Sequence, residues 1–261
     1  MKMKTVFTSL LVAANIICAQ IFDSTKIEKM LTGHTGTMIV LDNSTGQKFV
    51  YNSKRSRQRF LPASTFKIPN SLIGLDTKVI TDENFVIKWD GITRDNKEWN
   101  RDHSLATAIK YSVAPYYQEL ARRVGRKKYE QIFSKFNYGN KTIGNKIDLF
   151  WLDNSLKISA EEQISFLKKF YEYDIPFSRK SIDIVKKILT EEKFANSVLK
   201  FKTGTGKKED GMWIAWLVGY VERKDKVFFF AFNVDGINYE DAKSVRDEIP
   251  IKILIDMKFI Q

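Results

Sequence analysis

The sequence predicts an α+β fold: an antiparallel sheet built from both chain ends and flanked by helices, with an all-helical lobe inserted between its halves. Three observations predict it. Strand-type runs with turn residues between them stand near both ends of the chain, at 37–51 and 198–234. The stretch from Asp76 to about Thr190 changes to helical periods broken by loops. No repeat, low-complexity tract or Gly/Ser linker divides the chain, and 261 residues with 43% hydrophobic content suffice for one sizeable core. A single domain over 20–261, preceded by a leader over 1–19, is therefore expected.

Taken in order, Lys2 and Lys4 precede an uncharged run from Thr5 to Cys18, followed by Ala19 and Gln20. These are the charged, apolar and small-residue parts of a secretory signal, with cleavage expected after Ala19 and the mature chain in the periplasm; a buried first strand or an uncleaved anchor is the other reading of the run. The run is short for a bilayer span, so no stable membrane insertion is expected after cleavage. Bulky Ile17 argues against lipid attachment at Cys18. Export would leave a mature chain without cysteine, suited to an oxidising space without needing disulfides.

Thr37–Leu41, the turn Asp42-Asn43-Ser44-Thr45-Gly46 and Gln47–Tyr51 read as a hairpin. Ile68 to Leu75 continues as an apolar helix whose Pro69 lacks a backbone donor near the start, which predicts an irregular first turn. Within the lobe, Tyr116 to Val124 ends at Gly125, Lys128 to Phe136 ends at Asn137, and Ser159-Ala160-Glu161-Glu162 is a capping box. Strand character returns at Val198–Phe201, at Met212–Val221 and, after a charged turn at 222–225, at Val227–Val234. Ala242 to Met257 carries Val245, Ile249, Ile253 and Leu254 at helical spacing, with Pro250 expected to interrupt it.

The stretch with the clearest chemistry is Pro62-Ala63-Ser64-Thr65-Phe66-Lys67, where one helical turn carries a hydroxyl and an amine on the same face. Serine is a poor nucleophile until a base takes its proton, and a desolvated lysine can be that base. Ser64 is thus the candidate nucleophile and Lys67 its activator. Serine-x-x-lysine also occurs at 165–168 and 197–200, so the pattern alone equally describes a helix start with a solvated lysine. Lys202-Thr203-Gly204 stands at the end of a predicted strand, where glycine lets a ligand approach the backbone and lysine and threonine can meet an anion.

Composition narrows the alternatives. The formal net charge is +12, or +10 without Lys2 and Lys4, yet the basic residues are dispersed. The two dense segments, 54–59 and 122–128, interleave no aromatics, so a solvated basic surface is expected and no nucleic-acid partner. With only His34, His103 and one cysteine, a metal centre is not expected.

The ordered set Ser64-Thr-Phe-Lys67, Ser112-Val113, Tyr138-Gly139-Asn140, Trp151, Lys202-Thr203-Gly204 and Trp216-Leu-Val-Gly219 resembles the class D serine β-lactamases, or oxacillinases, relatives of the penicillin-binding proteins. The resemblance runs from about residue 20 to 257, with Tyr-Gly-Asn pointing to class D rather than class A. It implies a β-lactamase/transpeptidase-like fold and hydrolysis of penicillins through an acyl-serine, conferring β-lactam resistance. It implies further that Lys67 is carboxylated by carbon dioxide, with no other cofactor, and serves as base for acylation and deacylation. By the same resemblance Trp151 would hydrogen-bond that carboxyl group, and the backbone N–H groups of Ser64 and Thr205 would form an oxyanion hole. Ser112 would relay a proton to the lactam nitrogen near the charge of Lys202. Thr203 and Arg246 would hold the substrate carboxylate, with Gly204 and Tyr138 also lining the substrate site.

One departure stands out: the family usually carries valine where this chain has Ala114, which should leave more room for water beside the lysine. The alternative reading is a penicillin sensor that acylates and then stalls. Such receptors add membrane helices and a signalling part for which this chain is expected to have no room. A cell-wall transpeptidase and a nucleic-acid-binding protein are more distant alternatives.

Overall fold

A computed structural model describes residues 24–261, so the expected leader lies outside the described residues. The chain enters through α1 (Ser24–Leu31), a short amphipathic helix burying Ile27 and Leu31, and then forms the hairpin β1 (Gly36–Asp42) and β2 (Lys48–Tyr51). Asp42 shapes the connecting turn by accepting from the Ser44 hydroxyl and backbone N–H. After α2 (Ser53–Ser56), a 3-10 turn over Ala63–Phe66 runs into α3 (Lys67–Asp76). The irregular first turn expected from Pro69 is this 3-10 segment, and Pro69 sits where helix N–H groups lack partners in any case.

The lobe follows: β3 (Val86–Ile87) pairing β4 (His103–Ser104), then α4 (Leu105–Lys110), α5 (Ala114–Val124), α6 (Arg126–Lys135), α7 (Ala160–Tyr171) and α8 (Arg179–Ile188). The capping box is formed at α7: Ser159 Oγ accepts from the Glu162 N–H, and the Glu162 carboxylate accepts from the Ser159 N–H. The chain then adds β5 (Thr190–Lys193), β6 (Val198–Lys207), β7 (Trp213–Arg223) and β8 (Lys226–Gly236), and closes with α9 (Tyr239–Asp256).

Among the described residues the sheet is antiparallel in the order β2-β1-β8-β7-β6-β5, so strands from both chain ends meet where β1 pairs β8. Val227 to Phe232 is nearly all apolar because β8 is central and covered on both faces. One face packs on the lobe through Trp216, Val218 and Phe229, the other on α1 and α9 through Ala215, Leu217 and Phe230.

Three expectations change. Lys202-Thr203-Gly204 lies inside β6, which runs on to Lys207, because β7 stays paired with it through Trp213. Helix α9 passes through Pro250 unbroken; burial of Ile249, Ile253 and Leu254 against the sheet outweighs the lost hydrogen bond. The charged turn narrows to Lys224-Asp225, since β7 extends to Arg223 and β8 begins at Lys226.

Candidate active site

Register decides which side chains of β6 meet the lobe. Lys202 and Gly204 pair with Val218 and Trp216, which face the lobe, whereas Thr203 and Thr205 pair with Leu217 and Ala215, which face α9. β5 pairs β6 only as far as Phe201, so the edge of β6 from Lys202 onward is free of strand pairing and faces the Ser64 turn. A Cβ on Gly204 would stand 2.9 Å from the Pro62 carbonyl oxygen and 3.1 Å from the Ser64 nitrogen. Glycine is required here for strand and nucleophile turn to touch.

Ser64 is held from behind. Its predecessor Ala63 adopts a left-handed backbone (φ 47°) and donates its N–H to the Trp151 carbonyl at 3.1 Å. Thr65 donates its hydroxyl to the Pro62 carbonyl at 2.7 Å and accepts from the buried Gln163 amide at 3.0 Å. Phe66 packs among Tyr138, Phe150 and Trp151. Left-handed backbone at a non-glycine residue stores strain, and these contacts hold it.

Lys67 Nζ donates to Ser64 Oγ at 2.7 Å, and the lysine is 1% exposed. Burial drives its amine well below the usual lysine range, and the charge of Lys202 pushes the same way. Lys202 is equally buried, and burial followed by the charge of Arg246 lowers it to about 7. Its Nζ bonds back to the Thr203 carbonyl at 3.1 Å. Two buried amines without a carboxylate beside them are costly to charge and therefore disposed to be neutral.

Arg246, about two turns into α9 and on its buried side, reaches across to donate to Thr205 Oγ1 at 2.7 Å and is paired with its neighbour Asp247. Its hydroxyl partner is Thr205; Thr203, expected to hold the substrate carboxylate together with Arg246, lies on the same α9 face of the strand. Although it belongs to the outer helix, Arg246 is only 6% exposed. Ser112 lies in the turn between α4 and α5, half-buried, in a left-handed conformation (φ 54°). Trp151 is fully buried, stacks on Phe66, and its indole N–H has no hydrogen-bond partner among the described residues. Ala114 is the first residue of α5.

Tyr138 is a correction. It is fully buried, packed between Phe66, Phe136 and Phe166, so it cannot line a substrate site. The Tyr-Gly-Asn triplet is a structural tie: Gly139 takes φ 54° with a phantom Cβ 2.1 Å from the Lys157 carbonyl oxygen, and Asn140 bonds the backbone of Ser155 and Lys157. Gln163, Ser71 and Tyr117, all buried around the Ser64–Lys67 turn, were not singled out by sequence. Ser71 lies four residues after Lys67 and was open to a helical-spacing argument; the other two meet the turn only through the fold.

The constellation is that of the penicillin-recognising serine enzymes, and the profile of the penicillin-binding protein transpeptidase domain matches residues 36–254. The chain is 45% identical over 225 residues to β-lactamase OXA-48 of Klebsiella pneumoniae, covering 86% of this chain and 84% of that one. Its fold superposes on the class D β-lactamase FUS-1 (OXA-85) of Fusobacterium nucleatum with a TM-score of 0.86 at 34% identity, covering 91% and 99% of the two chains. It is also 38% identical over 216 residues to the regulatory protein BlaR1 of Bacillus licheniformis, covering 82% of this chain and 36% of that one. The chain belongs to the class D β-lactamase family.

Proposed function

We propose that this protein hydrolyses the β-lactam ring of penicillins through an acyl-Ser64 intermediate. The observation that carries this reading is the fully desolvated Lys67 amine donating to Ser64 Oγ at 2.7 Å. In the neutral form that burial favours, Lys67 can take the Ser64 proton as the oxygen attacks the lactam carbonyl carbon. The backbone N–H groups of Ser64 and Thr205, brought together by Gly204, are suited to the developing oxyanion. As the ring C–N bond breaks, the nitrogen needs a proton, which Ser112 is assigned to relay, with Lys202, lowered to about 7, lending positive charge in its protonated fraction. Arg246 and Thr205, with Thr203 on the same face, are suited to the substrate carboxylate. Water then cleaves the acyl-serine.

The residues also fit a carboxyl group on Lys67. A neutral amine is the form that takes up carbon dioxide, and the orphan indole N–H of Trp151, in the wall of the same turn, is a donor awaiting an acceptor. When attached, that group supplies an anionic oxygen base. Residues 1–19 support export, and among the described residues no helix is long and apolar enough to cross a membrane.

Steady-state hydrolysis of a penicillin, with and without added bicarbonate, tests the reading. Turnover raised by bicarbonate and abolished in Ser64→Ala is expected; a parent protein without turnover overturns it. The similarity to BlaR1 favours a second reading, a sensor that acylates and stalls, and stoichiometric acylation without turnover would establish that instead.

A further inference from the structure

Beneath Lys67 the structure closes a circuit. The Ser71 hydroxyl donates to the carbonyl of Lys67 itself at 2.7 Å, and the Tyr117 hydroxyl lies 2.9 Å from Ser71 Oγ. The ring of Tyr117, fully buried on α5, then lies with its face under the Lys67 amine, 5.3 Å from centroid to Nζ. The lysine's main chain thus fixes the tyrosine, and the tyrosine's ring supports the lysine's side chain. A ring face carries negative potential and attracts an ammonium, most strongly where water is excluded.

We propose that Tyr117 is a positioning residue that sets the charge balance of Lys67: its ring face holds the ammonium form and keeps Nζ aimed at Ser64. The inference rests on the proposed role of Lys67 as base. The groups facing Lys67 are Lys202 from β6, with Arg246 of α9 behind it, Ser64 from its own turn and Tyr117 from α5. Burial and Lys202 expel the proton; the ring opposes them. Burial also pushes the Tyr117 phenol up, so the ring stays uncharged at working pH. The same face disfavours an anionic group above it, so Tyr117 governs the pH at which Lys67 becomes free to react with carbon dioxide.

The test is the titration of Lys67 by NMR of protein labelled with 13C at lysine Cε, in buffer free of carbon dioxide, the resonance being assigned by its absence from Lys67→Ala. Tyr117→Leu removes the ring; Tyr117→Met, whose flexible side chain refills the space, is a second ring-free variant should the first not fold. Loss of a desolvated cation–π contact should lower the midpoint by about one pH unit in either. Tyr117→Phe, which keeps the ring, should titrate with the parent. A midpoint unchanged in the ring-free variants, whether or not their melting temperatures fall, overturns the proposal. So does a Tyr117→Phe midpoint displaced as far as theirs, or a parent Lys67 that remains neutral down to pH 5. Failure of the parent to hydrolyse penicillin is read separately and counts against the proposed function, not against this titration.

Discussion

Arg246 on α9 donates to Thr205 Oγ1 on β6 at 2.7 Å, tying the last helix of the chain to the strand that borders Ser64. Asp247 holds the guanidinium from its other side. Held by one hydroxyl and one carboxylate oxygen, the guanidinium, with five N–H groups, still has donors to spare for an anion. Arg246→Ala should lower kcat/KM for a penicillin about 10- to 100-fold, mostly through KM, the range for losing a hydrogen bond to a charged group. Steady-state kinetics check this, and Arg246→Lys should recover only part of the loss because lysine lacks the planar fork.

Trp151 separates activity from stability. Its buried indole N–H has no partner among the described residues, so Trp151→Phe removes an unsatisfied donor while keeping an aromatic ring against Phe66. Loss of ring volume offsets that gain, and the melting temperature should move by only a few degrees, about 1 kcal/mol in either direction. Turnover at ambient carbon dioxide should fall at least about tenfold and be partly restored by bicarbonate, the donor's contribution being that of a hydrogen bond to a charge. A bicarbonate titration beside a thermal melt reads both.

Lys202 gives a pH dependence with a definite sign. Its pKa is lowered to about 7 in the fold from the ordinary lysine value, so between those limits the unfolded chain binds more protons than the native one. Stability therefore rises with pH from about 7 towards about 10, and the cost of the buried charge is complete below about 7. Lys67 adds to the same trend, its folded value lying well below the usual range. Lys202→Met should raise stability near neutral pH, with an upper bound on the order of 4 kcal/mol, and flatten the pH dependence while abolishing turnover. Urea unfolding from pH 6 to 9 measures it.

Arg55 and Asp235 form a two-pronged ion pair at 2.8 and 2.7 Å, with Arg55 only 5% exposed and also donating to Asn233. Lys208 approaches the same carboxylate at 3.2 Å. Asp235→Asn leaves a buried guanidinium without its counter-charge and should cost about 3 kcal/mol. Denaturant unfolding should show it with little change in KM.

Most of the sheet was legible because its strands are nearly unbroken apolar runs with turn residues between them, as in Val227–Val234. The polar edge strand Thr190–Lys193 was not, since only Phe201 and its neighbours give it a partner. Lys202-Thr203-Gly204 read as the end of a strand, whereas the strand runs on and Gly204 and Gly206 serve close approach to the Ser64 turn. In the site, Ser64 and Lys67 were readable because one helical turn relates them. Tyr138 was misjudged because its motif marks the family, and its burial among aromatic rings is a property of packing. The union of Thr205 with Arg246, 41 residues apart, and of Tyr117 with Lys67 is written only in the fold.

Because β1 pairs with β8, and the Ser64 turn leans on β6, the reactive centre cannot exist while the chain is still being made. A nascent polypeptide halted within the lobe holds the serine and its amine but lacks the strand that shields them and the arginine that anchors Thr205. Reactivity is thereby deferred until synthesis is almost finished, and a message cut short before codon 246 would yield no partial enzyme.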